Sequence, residues 1–77
     1  MTNEQSAKVD SLTGAIEKDA KEIMDKNLVS IFEMETFLKT NYDKILDNAR
    51  QHRDWEKLYE DFEDMHRRLL SLGSRTN

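Results

Sequence analysis

The chain has 77 residues and a formal net charge of −4, and hydrophobic and charged residues each make up 36% of it. A chain this short forms one domain at most, and its hydrophobic core alone gives a marginal fold. It contains no cysteine, which excludes a disulfide framework and thiol chemistry. Because the chain is acidic and its basic residues are mostly dispersed, we expect no binding to a nucleic-acid backbone.

The lack of proline indicates the fold class. There is no proline, and the only glycines are Gly14 and Gly73. Without the commonest helix breaker, and with little turn chemistry for strands, the sequence predicts an all-α protein. No apolar run approaches the ~18–20 residues of a membrane span, and the N-terminus lacks the residue order of a signal peptide. We therefore expect a cytoplasmic protein that does not associate with membranes.

The first predicted helix covers residues 6–26 and carries a thin apolar stripe. That stripe consists of Val9, Leu12, Ile16, Ala20 and Ile23. Gly14 lies inside it and costs about 1 kcal/mol relative to alanine. Two possibilities follow, a helix that frays at Gly14 and a helix that begins only after it. We expect residues 1–5 to be disordered.

Residues 26–30 are predicted to separate the first helix from the second. Ser30 and Glu33 have the spacing of a capping box, in which each side chain accepts from the backbone N–H of the other residue. Val29 and Met34 have the spacing of a hydrophobic staple. An uninterrupted helix stays open as the alternative, because the apolar periodicity continues through this segment.

The second helix is predicted over residues 31–50 and has a wide apolar arc. Its apolar stripe consists of Ile31, Met34, Leu38, Tyr42, Ile45 and Ala49. Phe32, Phe37 and Leu46 widen that stripe. A wide arc predicts burial against two neighbouring helices, as in a bundle.

The third helix, predicted over residues 54–72, carries the most regular pattern. Its apolar residues alternate at spacings of three and four, which is the heptad rule and predicts coiled-coil-like packing against another helix. These seam residues are Trp55, Leu58, Phe62, Met65, Leu69 and Leu72. Asp54 is the expected N-cap, Gly73 the expected C′ glycine, and residues 74–77 a disordered tail.

Matched helix lengths and short connections predict the arrangement. We expect one domain over residues 1–77, an up-down-up three-helix bundle or a helical hairpin with an added N-terminal helix. The second helix is the expected main partner of the seam within the chain. The first helix, thin and interrupted by Gly14, is the expected weak cover, where an outside partner would enter.

Residues that could carry chemistry are few. Glu63 and His66 have the ExxH spacing of di-iron bundles, but that motif occurs once here, whereas such bundles use it twice with two further glutamates. There is no cysteine nucleophile and no glycine-rich phosphate loop. We therefore expect no enzymatic activity, no metal and no cofactor.

The seam predicts a non-enzymatic module for protein–protein interaction through helix–helix association, as an adaptor, a chaperone or an assembly subunit. Its partner would be another protein or a second copy of the chain. The candidate contact residues are Trp55, Tyr59, Phe62, Met65, Leu69 and Leu70. For Trp55, a role as the end of the internal core is the competing interpretation.

An acidic run supports a second hypothesis. Six acids fall within eleven residues, namely Asp54, Glu56, Glu60, Asp61, Glu63 and Asp64. Such a surface is typical of a small inhibitor or nucleic-acid mimic that occupies a basic surface of a target. The plainer interpretation is a solvated helix face with acids concentrated near its N-terminal end, where the helix dipole favours them.

Overall fold

The computed structural model describes residues 2–51 and 54–74, which form three α-helices. Helix α1 spans Asn3–Asp25, α2 spans Ile31–Gln51 and α3 spans Trp55–Ser74. The described residues contain no strand, so the prediction of a small all-α bundle is confirmed. No helix in this part of the chain has the length and apolar character that crossing a membrane requires.

Helix α1 begins earlier than the sequence analysis predicted. Thr2 is its N-cap: the Thr2 hydroxyl accepts from the Gln5 backbone N–H at 3.1 Å, and the Gln5 side chain accepts from the Thr2 N–H at 2.9 Å. This reciprocal capping box starts the helix. The expected disorder was therefore wrong for residues 3–5, while Met1 lies outside the described residues. The helix also continues through Gly14, which is exposed.

The connection between α1 and α2 is a turn, which settles the question that the sequence left open. Asn27 has a left-handed backbone with φ of 58°. Its N–H donates to the Met24 carbonyl at 3.0 Å, and the Leu28 N–H donates to the Ile23 carbonyl at 3.2 Å. This pair of hydrogen bonds is the Schellman motif, with Asn27 at C′, and it ends the helix by satisfying its last carbonyls.

Helix α2 starts at the predicted cap. The Ser30 hydroxyl accepts from the Glu33 backbone N–H at 3.0 Å, which satisfies one of the free donors of the first turn. Val29 and Met34, the predicted staple, are both buried in the same core. The cap and the buried pair fix the angle at which the chain enters α2.

Helix α3 starts as predicted but ends differently. The Asp54 carboxylate accepts from the Glu56 backbone N–H at 3.0 Å, as expected of an N-cap. The prediction that Gly73 is a C′ glycine was wrong, because the helix runs through it to Ser74 without a positive φ. A Cβ at Gly73 would lie 2.8 Å from the Ile23 Cδ1 atom, so Gly73 permits close contact with α1. Residues 75–77 of the expected tail lie outside the described residues.

Side-chain contacts give the directions of the helices. Asp19 contacts His66 and Ile23 contacts Gly73, so residue numbers rise together along α1 and α3, and these helices are parallel. The ring of Tyr42 lies 6.0 Å from that of Phe62. In α2 and α3 the numbers run in opposite senses, since Asn41 accepts from Arg68 at 3.3 Å. The three helices therefore run up, down and up.

One hydrophobic core joins the three helices. Its buried members are Ile16, Ala20, Ile23, Val29, Met34, Ile45, Phe62, Met65 and Leu69. Four of them, Ile16, Met34, Met65 and Leu69, are almost completely inaccessible to solvent. Helix α2 contributes only Met34 and Ile45, fewer than the predicted wide arc implied.

The main partner of α3 is α1, and the prediction that α2 would fill this role was wrong. Gly73 explains part of the difference, because the absence of a Cβ lets α3 lie close against Ile23 of α1. Ala20, the smallest residue of the α1 stripe, is also buried in the core. Between α2 and α3 lies a polar groove of about 230 Å³, where Asn41, Lys44 and Asn48 take positions that apolar residues would fill in a tighter contact.

Candidate protein-interaction surfaces

The structure divides the six predicted contact residues into two groups. Phe62, Met65 and Leu69 are 5%, 0% and 0% exposed and belong to the internal core. A partner could reach them only if α1 or α2 moved away. Trp55, Tyr59 and Leu70 are partly or largely exposed and remain accessible.

The accessible members of this set lie at two places on α3. Trp55 and Tyr59 are one turn apart, with ring centroids 6.1 Å apart in an edge-to-face arrangement. Leu70 is 48% exposed and lines a groove of about 440 Å³ between α1 and α3, together with Ile23 and Leu28. Trp55 is therefore the one seam residue of this set that can contact another protein without movement of a helix, and Tyr59 and Leu70 flank the seam.

The largest exposed apolar side chains lie on α2, outside the predicted set. Ile31 is 65% exposed, Phe32 is 79% exposed and Leu46 is 49% exposed. The predicted burial of the wide arc against two neighbours was wrong for these residues. A helical wheel could have identified Phe32, because at 100° per residue it lies about 160° around the helix from the buried Met34.

An open cleft lies where the Schellman turn meets the start of α2, and Ile31 is the one of these three residues that lines it. Its volume is about 410 Å³. Its apolar lining consists of Met24, Val29, Ile31, Met34 and Leu38, and its polar lining of Asp25, Asn27, Ser30 and Glu35. The lining thus includes two carboxylates and no basic side chain. Neither Asp25 nor Glu35 forms an ion pair with another described residue.

The histidine of the ExxH pattern has a structural contact. His66 Nε2 lies 2.6 Å from Asp19 Oδ2, and this pair joins α3 to α1 with both side chains about one quarter exposed. Glu63 is exposed and is not part of the pair. Within residues 2–51 and 54–74 no group of three or more His, Cys, Asp or Glu is placed to hold a metal ion.

Several acids of the 54–64 run interact within their own helix. Lys57 donates to Asp61 at 2.9 Å, and this hydrogen bond, followed by the Asp61 charge, raises the pKa of Lys57. Arg67 donates to Asp64. Because Asp54 caps the helix, half of the six acids accept hydrogen bonds within or at the start of α3, and Glu60 also interacts with the charge of Lys57. Glu56 and Glu63 are exposed and take part in none of these contacts.

One polar group inside the bundle has no partner. The Tyr42 hydroxyl is buried and forms no hydrogen bond with the described residues. Burial, and secondarily the negative charge of Glu17, raise the pKa of Tyr42. Since a buried donor without an acceptor costs about 1–3 kcal/mol, the hydroxyl is a local weakness of the fold.

Comparison of the chain with models of protein families, with curated proteins and with solved structures found no significant match. The architecture defines the class, a small all-α bundle of three helices. Fold class alone does not determine function, so the functional argument rests on the surfaces described above.

Proposed function

We propose that this chain is a non-enzymatic protein-interaction module that acts by helix–helix association, as an adaptor, a chaperone or an assembly subunit in the cytoplasm. The observation that carries the proposal is the uncovered part of the apolar arc of α2. Ile31 and Phe32 adjoin in sequence and are 65% and 79% exposed, and Ile31 lines the open cleft. Scattered exposed apolar residues are ordinary, but adjoining ones beside a cleft are typical of binding surfaces.

Ile31 and Phe32 would gain free energy of burial from contact with a partner. Burying an Ile or Phe side chain completely is worth about 1.5–3 kcal/mol. Ile31 and Phe32 gain little of this in the isolated chain, because most of their surface stays in water. A partner helix that covers both recovers most of that free energy, which supports association through α2.

The exposed residues of α3 supply additional contact area in this proposal. Trp55 and Tyr59 are amphipathic aromatic residues of the kind enriched at protein interfaces. Leu70 adds an exposed aliphatic side chain in the groove between α1 and α3. The buried Phe62 and Leu69 have a supporting role, because they fix the helices that present these surfaces.

The competing function is that of an acidic inhibitor or nucleic-acid mimic. The partners of Asp54, Asp61 and Asp64 within α3 reduce the charge that this face offers to a basic target. Ionic strength separates the two functions, because salt screens exposed charges but does not weaken apolar contact. Association that survives about 0.5 M salt favours the interaction module, and association lost at that concentration favours the mimic.

Photo-cross-linking in the cells that produce the chain tests the proposal. A photoreactive phenylalanine analogue replaces Ile31, Phe32, Tyr59 or Leu70 in separate variants. Thr40, an exposed polar residue of α2, is the matched control position. We expect adducts with a protein at one or more of the apolar positions and none at the control. If all four apolar positions give no more adduct than the control, the proposal is wrong.

A further inference from the structure

The chemistry of the cleft between the α1–α2 turn and α2 indicates what kind of partner it accepts. We propose that this cleft binds a basic amphipathic helix of another protein, whose apolar face covers Ile31 and the apolar floor of the cleft. The inference rests on the proposed function and adds the place, the shape and the charge of the partner. Three observations carry it, concerning the floor of the cleft, its edge and its size.

The floor of the cleft is apolar and held in place. Val29 and Met34 are buried in the core, and Leu38 packs partly against it. Two caps hold the surrounding backbone: the Schellman turn at Asn27 and the hydrogen bond from the Glu33 N–H to the Ser30 hydroxyl. The cleft therefore exists before a partner arrives, and little ordering of the chain opposes binding.

The edge of the cleft is acidic. Asp25 and Glu35 line it, are exposed, and form no ion pair with other described residues. The nearest basic residue in sequence to Asp25 is Lys26, which lines the other groove, between α1 and α3. A helix with Lys or Arg beside its apolar face would complement this edge, whereas acidic residues there would be repelled.

A second copy of the chain fits the cleft less well. In a two-fold dimer the same patch meets itself, so the carboxylates of Asp25 and Glu35 would approach their counterparts. The apolar area is also small for a stable dimer: complete burial of one aromatic side chain removes about 150–250 Å², against roughly 800 Å² per partner in a standard interface. Docking of one helix into a groove needs only a few apolar anchors at positions i, i+3 or i+4, and i+7.

A selection experiment on the full chain tests the partner's chemistry. The probe is a displayed library of amphipathic helices about 18 residues long, above the length at which isolated helices become marginal. Leucine occupies the apolar face, and the flanking positions vary among Lys, Glu and Gln. We expect the selected helices to carry an excess of Lys at those positions and to bind less tightly as salt rises.

Matched variants locate the binding. Ile31→Ala should weaken binding of the selected helices by about tenfold or more, as expected for an apolar anchor that lines the cleft. Leu46→Ala removes another exposed apolar residue of α2 outside the cleft, and binding should not change. The double variant Asp25→Lys, Glu35→Lys should remove the selectivity for Lys. All four residues are exposed, so these substitutions leave the core intact.

Three results overturn the inference. The first is a selected population without a Lys excess or with equal affinity for the Ile31→Ala variant. The second is selection of no helix while the chain forms a dimer that Ile31→Ala dissociates, which would identify a second copy as the occupant. The third is selection of no helix by a monomeric chain. If the inference about the cleft fails but adducts form at Tyr59 or Leu70 in the cross-linking experiment, the proposed function still stands. If no apolar position gives adducts above the control, the proposed function and the inference about the cleft are both refuted.

Discussion

The two glycines of this chain are expected to respond to alanine in opposite directions. Gly14 is exposed, and a Cβ added there meets no atom within 4 Å. Alanine therefore gives the full gain in helix propensity, about 1 kcal/mol in the free energy of unfolding. For a chain of this size that gain corresponds to a rise of about 4–8 °C in melting temperature.

At Gly73 the same gain is opposed by a collision with α1. An added Cβ would lie 2.8 Å from Cδ1 and 2.9 Å from Cγ1 of Ile23. Rotation of the outer methyl group cannot relieve both contacts, and Ile23 is 8% exposed and enclosed by the core. Overpacking of this kind costs about 1–3 kcal/mol, so Gly73→Ala should lower stability by up to about 2 kcal/mol after the propensity gain is subtracted.

Urea denaturation followed by circular dichroism measures both variants on the same scale. Ile23→Val shortens the obstructing side chain, and alone it should cost about 0.5–1.5 kcal/mol. In the Gly73→Ala background it should cost less, because it relieves part of the collision. If Gly73→Ala stabilises the chain as much as Gly14→Ala does, the close approach of α1 and α3 is refuted.

Substitutions at three further places test other contacts. Tyr42→Phe should leave the free energy of unfolding unchanged or raise it by about 1 kcal/mol, because it removes a buried hydroxyl without a partner. Burial and Glu17 raise the pKa of Tyr42 above its ordinary value of 10.0, so ionisation of the hydroxyl opposes folding and stability should fall further as pH rises above that value. An alkaline titration of stability should show a smaller loss for the phenylalanine variant. Because Asn27 has φ of 58°, Asn27→Gly should raise the free energy of unfolding by about 0.5–1 kcal/mol, and Asn27→Ala should lower it by about 1 kcal/mol. Equal urea midpoints for the two variants would contradict the Schellman turn. A double-mutant cycle on Asp19→Ala and His66→Ala should give a coupling of about 0.5–1.5 kcal/mol, and additive effects would mean that the pair does not join α1 to α3.

Local signals in the sequence predicted the helices and most of their boundaries. Ser30 and Asp54 were identified as N-caps because capping depends on residues within one turn of each other. Thr2 and Gln5 carry the same kind of local signal, since their spacing is that of the capping box that starts α1, although residues 1–5 were expected to be disordered. Boundaries that rest on neighbouring residues are therefore within reach of sequence reasoning.

The choice of packing partner depends on residues far apart in sequence. A glycine after an apolar run predicts a C′ position, and nothing near Gly73 in sequence reveals that Ile23 lies against it. The same holds for Ala20, which weakens the stripe of α1 in sequence but is 2% exposed in the bundle. Contact between residues far apart in sequence is a property of the assembled fold, so it escaped prediction.

The candidate site was predicted only in part for a related reason. The heptad spacing identified Phe62, Met65 and Leu69 as residues that meet another helix, but spacing does not say whether that helix belongs to the same chain. Phe32 was assigned to a buried arc, although its angle from Met34 indicated the solvent side. An apolar residue well off the stripe of its own helix is therefore the better sequence signal for an external contact.

The central claim is that the seam from Leu58 to Leu72 is satisfied inside the chain and that the exposed residues of α2 are the main ones left for a partner. Sedimentation equilibrium, combined with thermal melting at two widely separated concentrations, tests it most directly. We expect the mass of one chain and a melting temperature that does not depend on concentration. A multiple of that mass that persists in the Ile31→Ala and Phe32→Ala variants, with a melting temperature that rises with concentration, would show that another copy completes the seam and would contradict the claim.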